Sequence, residues 1–315
     1  MDDGTGNLIT PTENVVNDGL PFALSVYRPA HRKDEKVTGR LNLDWNINDN
    51  AMMYFSATSG YRSGGFSLVY FSDTQAYDPE ELLAYEIGYK TQWLDNTLQL
   101  NGSFYYYDYK TIHTFAREVS TLPGGGTTTS ILEAPGAEIK GLEAELIYYI
   151  NDAWAVGGNL SYTPSEYTKT LEMMDPGRAS VPESLYPEFA ELTENVKGNQ
   201  LQQVPEGKAT GWARYLINLD GGAQLELFSV YSWIDDVFYS PFESSEEMAE
   251  SYDRLDLRAT WTSRDSNWIA TEFGNNVFDD IGNLQILRNS EAQFFRHTSG
   301  TTVPRLYGLE LTYRY

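Results

Sequence analysis

The 315-residue sequence contains no cysteine, which removes disulfide frameworks and thiolate chemistry together. Apolar residues never run on for the roughly 18 positions a transmembrane helix needs, so crossing a membrane by a helix is excluded. Basic residues are scarce: 22 Lys and Arg face 45 Asp and Glu, a formal net charge of −23. That balance argues against nucleic acid as a partner. Histidine is limited to His31, His113 and His297, far apart and without HExxH or any other ligand spacing, so no metal site and no cofactor is expected. The serines lack a GxSxG elbow, and no enzymatic activity is expected. The first residues have neither a basic stretch nor an apolar core, so they do not read as a signal peptide. On that reading the chain is either cytosolic or a mature or truncated piece.

Aromatics are plentiful instead, with 23 Tyr, 14 Phe and 7 Trp, which suits strands and membrane interfaces. The mean hydropathy of −0.44 resembles that of a soluble protein. It does not exclude a membrane barrel, in which only alternate strand residues meet lipid. Residues 83–110 show the organising pattern. Leu83, Tyr85, Ile87, Tyr89 and Trp93 alternate with Glu86, Lys90 and Gln92. Asp95, Asn96 and Thr97 turn the chain, and Leu98, Leu100, Phe104 and Tyr106 resume the alternation. The same unit recurs, giving strands over residues 37–47, 51–62, 83–94, 98–116, 138–150, 154–167, 208–219, 223–240, 253–263, 267–278 and 305–315. The two faces of 267–278 do not separate in the sequence. Residues 1–36 read as loop with one short strand at 22–27.

Connections alternate in length. Short ones fall at 48–50, 95–97, 151–153, 220–222 and 264–266; long ones fall near 63–82, 117–137, 171–207, 241–252 and 279–304. Trp45, Trp93, Trp154, Trp261 and Trp268 all lie close to short turns, as an aromatic belt at one interface requires. The fold class expected is all-β: an antiparallel transmembrane β-barrel, with short periplasmic turns and long extracellular loops. The competing reading is a soluble β-sandwich with core tryptophans.

Several stretches resemble the barrel of TonB-dependent outer-membrane receptors: Gly60-Tyr61-Arg62-Ser63-Gly64-Gly65-Phe66, Asp78-Pro79-Glu80 followed by Tyr85-Glu86-Ile87-Gly88-Tyr89-Lys90 and Trp93-Leu94-Asp95, and Ala137-Glu138-Ile139-Lys140-Gly141-Leu142-Glu143. Gly198-Asn199, Val204-Pro205, Asn276-Val277-Phe278-Asp279 and the closing Tyr313-Arg314-Tyr315 are also similar, although the family usually ends in Phe. The resemblance spans residues 36–315, and 1–36 reads as an extracellular loop. It implies eleven strands of a barrel of about 22, with the family's N-terminal plug, coupling box and other barrel half outside this stretch. It also implies outer-membrane lipid as surroundings, the TonB energy-coupling complex as a partner acting through the missing segment, and a ferric siderophore or similar scarce solute as ligand. A passive porin-like channel and a soluble glycan-binding β-protein are the alternatives.

The charges Arg40, Asp44, Glu86, Lys90, Glu143, Glu145, Arg214, Glu226, Arg254, Asp256, Arg258, Glu310 and Arg314 are expected to face the lumen, as a mutually paired wall against a plug. Ligand-contact candidates in the outer loops are Tyr61, Arg62, Phe66, Tyr70, Phe71, His113, Arg117, Tyr186, Phe242, Phe294, Phe295 and His297. Their aromatic, cationic and imidazole groups suit contact with a solute.

Overall fold

The structure is a computed structural model that describes residues 31–66, 76–119, 127–175, 193–288 and 297–315. The expected strand at 22–27 and the candidates Tyr70, Phe71, Tyr186, Phe294 and Phe295 lie outside the described residues, and Arg117 is placed by its backbone alone.

Eleven strands form one antiparallel meander: β1 (Arg40–Asn48), β2 (Ala51–Arg62), β3 (Glu80–Trp93), β4 (Leu98–Val119), β5 (Ala137–Tyr149), β6 (Trp154–Tyr162), β7 (Gly207–Asn218), β8 (Gln224–Ile234), β9 (Tyr252–Thr262), β10 (Trp268–Asn275) and β11 (Leu306–Tyr313). Each pairs with its sequence neighbours, and the sheet is open: among the described residues β1 and β11 each have a single neighbour. The eleven strands and their order agree with the alternation read from the sequence.

Short turns are closed by the residues that favour them. Leu94, Asp95 and Asn96 take φ of 53°, 53° and 67°, a left-handed run that Asp and Asn tolerate better than most residues. Thr97 donates its N–H and its hydroxyl to Leu94 O, at 3.2 and 2.7 Å. At the next turn Asn151 Oδ1 accepts from the N–H groups of Ala153 and Trp154, at 2.9 and 2.8 Å. Gly221 and Gly222 supply φ of 86° and 88° where β7 meets β8.

Two expected strands end early for visible reasons. The strand expected over 154–167 breaks after Tyr162 because Pro164 has no N–H for the ladder. Pro164 O still accepts from Lys140 N, and Ser165–Tyr167 resumes pairing with Ala137, Glu138 and Ile139. The strand expected over 223–240 leaves the sheet just after Asp235, whose N–H still donates to Gly207 O at 2.9 Å while its side chain accepts from Asp236 N in place of a ladder partner. Val237–Phe238 then pairs with Met248–Ala249 in a separate small sheet.

Directly paired residues of antiparallel strands share a face. The pairings therefore carry one face across the sheet: Leu43 to Phe55, Ile87, Phe104, Leu142 and Tyr162. That face is apolar and uncovered, with Ile87 at 46% and Leu309 at 76% exposure. The packed interior lies elsewhere, in the long connections, where Ala134, Ala137, Tyr167, Met173, Val196 and Leu201 form a buried cluster. On β10 the structure separates the faces that sequence left mixed. Trp268, Ala270, Glu272 and Gly274 pair with Tyr313, Leu311, Leu309 and Tyr307 on the apolar side.

Candidate functional site

Two regions carry the chemistry. The first is a charged cluster at the far ends of β2, β3 and β4, on the side of the long connections. Glu80 is its centre. Its Oε1 accepts from His113 N at 2.5 Å, and its Oε2 lies 3.5 Å from Arg62 Nη1. His113 is buried at the ring, 3.7 Å from Glu80 through Nδ1, with Nε2 2.6 Å from Asp78 O and its ring edge-on to Tyr77 at 4.7 Å. Asp78 also binds Arg32 Nη2 at 2.9 Å, and Arg32 Nε binds Asp34 at 2.7 Å. These two carboxylates raise the Arg32 pKa, so the guanidinium stays charged. Glu81 bridges Lys36 and Lys110 at 2.5 and 3.0 Å. A segment before the first strand is thus tied to the third and fourth.

The structure brings Arg62 and His113 together through Glu80 and scatters the remaining described candidates. Tyr61 lies at the end of β2 with its hydroxyl buried and without a hydrogen-bond partner among the described residues. Phe66 sits in a two-residue strand opposite Ala76, Phe242 packs on the buried loop cluster, and His297 Nε2 lies 4.0 Å from Glu246. No group of three metal-ligating side chains occurs among the described residues. Sequence reading missed Glu80, Glu81, Asp78 and Arg32. Alternation places carboxylates on a face, but it does not say which strand ends meet.

The second region is the polar face of the sheet. Arg40, Asp44, Glu86, Lys90, Glu143, Glu145, Arg254, Asp256 and Arg258 all share it. Glu86 accepts from Tyr54 Oη, and Glu145 accepts from Asn101 Nδ2 at 2.9 Å. Tyr54, Lys90, Asn101, Ser103, Glu143 and Glu145 help line an open hollow of about 490 Å³ on this face. The expectation of mutual pairing is not met. Of the thirteen charges expected to pair, only Arg254 and Asp256 form an ion pair with one another, at 2.7 Å, among the described residues. The physical reason is spacing: same-face neighbours on these strands often carry the same sign, as Glu143 and Glu145 do, or are amides and hydroxyls.

Comparison with known proteins places the chain. Residues 10–278 match the family model described as TonB dependent receptor-like, beta-barrel. A curated protein described as "Probable TonB-dependent siderophore receptor PiuA", from Acinetobacter baumannii, is 27% identical over 195 residues, covering 60% of this chain and 23% of its own length. The chain thus spans about a quarter of that relative. Among solved structures, the ferric yersiniabactin uptake receptor FyuA of Yersinia pestis superposes with a TM-score of 0.67 at 16% identity, over 89% of this chain and 37% of that one. The copper transporter OprC superposes with a TM-score of 0.57 at 13% identity, over 88% and 39%. The apolar face is accordingly the lipid-facing wall of an outer-membrane barrel, its short turns periplasmic and its long connections extracellular. The chain belongs to the TonB-dependent receptor β-barrel family.

Proposed function

We propose that this chain forms part of the wall of an outer-membrane receptor for energy-dependent uptake of a ferric siderophore, with the polar face lining the passage and the Glu80 cluster standing at its outer mouth. The observation that carries the reading is the sequence relationship to PiuA, a siderophore receptor by description. The fold alone does not choose the solute, since a copper transporter shares it. The cluster's chemistry agrees with an anionic chelate. Arg62, Lys36 and Lys110 gather, still reachable by solvent, where a solute arrives, each already held by a carboxylate that fixes its position. In this reading the chain acts as binder and conduit, with no catalytic residue, and the energy-coupling complex engages through parts of the protein outside this stretch.

The test uses the full receptor in its outer membrane and a panel of iron-loaded siderophores. Saturable uptake that stops when the proton gradient is collapsed supports the reading. Uptake that is linear in concentration and indifferent to the gradient overturns it in favour of a passive channel.

A further inference from the structure

Residues 196–204, in the long connection between β6 and β7, hold more than their own connection together. The segment opens with a tight reversal. Gly198 takes φ of 87°, and nothing lies within 4 Å of a Cβ built there, so backbone conformation and not space calls for glycine. Asn199 N closes the turn on Val196 O at 3.0 Å. Gly198 N donates to Tyr167 O at 2.8 Å, and Asn199 O accepts from Tyr167 N at 2.9 Å. Val196 and Leu201, on either side of this turn, are both buried.

From there the segment reaches its neighbours. Gln202 Nε2 donates to Thr114 Oγ1 at 3.1 Å, on the outer end of β4, where residues 127–134 also pair. Leu201 N donates to Ser165 Oγ at 3.2 Å within its own connection. Three bonds go to the connection between β8 and β9. Asn199 Nδ2 donates to Pro241 O at 2.9 Å, Gln200 N to Glu243 Oε1 at 2.7 Å and Gln203 N to Phe238 O at 2.8 Å. Apolar contacts follow the same lines. Val196 and Leu201 share one buried cluster with Ala134 of the β4–β5 connection, and Phe242 of the β8–β9 connection packs on it. Backbone groups in a packed loop must find partners. Here they find them in one another's connections, so none of the three can leave without unpairing polar groups and opening the cluster for the others.

We propose that residues 196–204 are a keystone that fastens the β4–β5, β6–β7 and β8–β9 connections into one cooperative body, which opens as a unit and not loop by loop. Contiguous elements that share buried contacts open together at a common free energy, whereas loops without such contacts fluctuate singly. Thr114, held by Gln202, is the neighbour of His113, so the keystone also sets where the Glu80 cluster stands relative to the β8–β9 connection. The fastening holds whatever solute passes and so stands apart from the uptake reading.

The experiment takes the intact receptor in detergent and follows amide hydrogen exchange by mass spectrometry. Gly198→Ala forces a side chain into the left-handed region without touching a neighbour, and Gly198→Asn places there a residue that tolerates it better. The expected result in Gly198→Ala is exchange faster by roughly five- to thirtyfold in residues 131–134, 165–174 and 238–249 alike. The effect is smaller in Gly198→Asn, and residues 142–148 of β5 are unchanged in both, which also shows that the barrel is folded. Acceleration confined to the β6–β7 connection overturns the keystone, as does no acceleration at all. A second arm joins Gln200→Cys to Glu243→Cys with a short bis-maleimide. Two points of one body can be joined without loss, so siderophore uptake equal to that of the unjoined double variant supports the keystone, and uptake lost on joining overturns it. If the unjoined receptor takes up no siderophore, the uptake reading fails, and the exchange result still decides the keystone.

Discussion

The ring of Tyr54 covers Gly88 on the neighbouring strand: a Cβ placed on Gly88 would fall 2.5 Å from Tyr54 Cζ and Oη. The two residues are directly paired, and Tyr54 Oη donates to Glu86 on the same strand as the glycine. The arrangement recurs on both faces, with Tyr89 over Gly102, Tyr105 over Gly141, Trp212 over Gly157, Phe273 over Gly308 and Tyr307 over Gly274. Glycine weakens a strand by leaving nothing to pack. A ring from the adjacent strand restores that contact and pins the register. Gly88→Ala is therefore expected to displace the Tyr54 ring and destabilise the folded barrel by about 1–3 kcal/mol. Denaturant titration in lipid vesicles reads this directly. Gly211→Ala, where a Cβ meets nothing within 4 Å, is the control expected to change little.

The lipid-facing assignment separates two adjacent residues. Leu43 pairs with Phe55 on the apolar face, and Asn42 pairs with Ser56 on the polar one. Leu43→Arg is expected to cost roughly 2–4 kcal/mol where the residue lies near the bilayer midplane. Asn42→Arg places the same charge on the opposite side and is expected to cost far less. Equal losses for both variants in a vesicle-folding titration contradict the assignment.

Most of the barrel was legible because alternation reports a face locally. A run such as Leu98, Leu100, Phe104 with Gln99, Asn101 and Ser103 between needs no knowledge of its neighbours. What escaped depends on partners distant in sequence. Glu80 meets His113 across 33 residues, and no pattern at either position announces the other. That Arg214 is paired with Phe228, Phe228 with Arg258 and Arg258 with Phe273 is likewise a property of register, visible only once four strands are aligned. The breaks at Pro164 and Asp235 were local but were overridden in the reading by the longer apolar pattern around them.

Glu80 holds two candidate residues in place, so its loss should be felt beyond its own position. Glu80→Ala removes the acceptor for His113 N and the carboxylate near Arg62. Leaving a half-buried N–H without a partner costs about 1–3 kcal/mol. Faster hydrogen exchange at His113, with exchange near Phe104 unchanged, is the expected result. Glu80→Gln keeps an acceptor and should recover most of the protection.

A periplasmic turn supplies a pH prediction. Ser263 Oγ donates to Asp265 Oδ1 at 2.6 Å, and Asn267 N donates to it at 3.2 Å. These bonds favour the ionised form and lower the Asp265 pKa. With the folded value below the unfolded one, the turn's contribution is present above the ordinary carboxylate range and is lost as pH falls through the lowered value. Carbon-13 NMR of the Asp265 carboxyl should show a midpoint below that of an unstructured aspartate. Ser263→Ala should move it upward.

Glu272 is at odds with its surroundings. It pairs with Ala259 on one side and Leu309 on the other, on the lipid-facing side of β10, and its side chain is exposed there. It stands four residues on from Trp268 in the periplasmic belt, which is about 13 Å along the strand. With the strand tilted by about 35–45°, that places the carboxyl roughly 10 Å into the hydrocarbon layer. Among the described residues Glu272 forms no ion pair, and Lys140, a cation on the same face, stands at the opposite end of β5, bound to Glu138 at 2.9 Å. A carboxylate in lipid costs less than the roughly 2–4 kcal/mol of a midplane Arg or Lys, yet it still costs. Glu272→Leu is therefore expected to stabilise the barrel in vesicles by about 1–2 kcal/mol, and Glu272→Gln by less. A loss of stability in Glu272→Leu contradicts the lipid-facing placement, since only a carboxylate held by a specific partner is missed when it is removed.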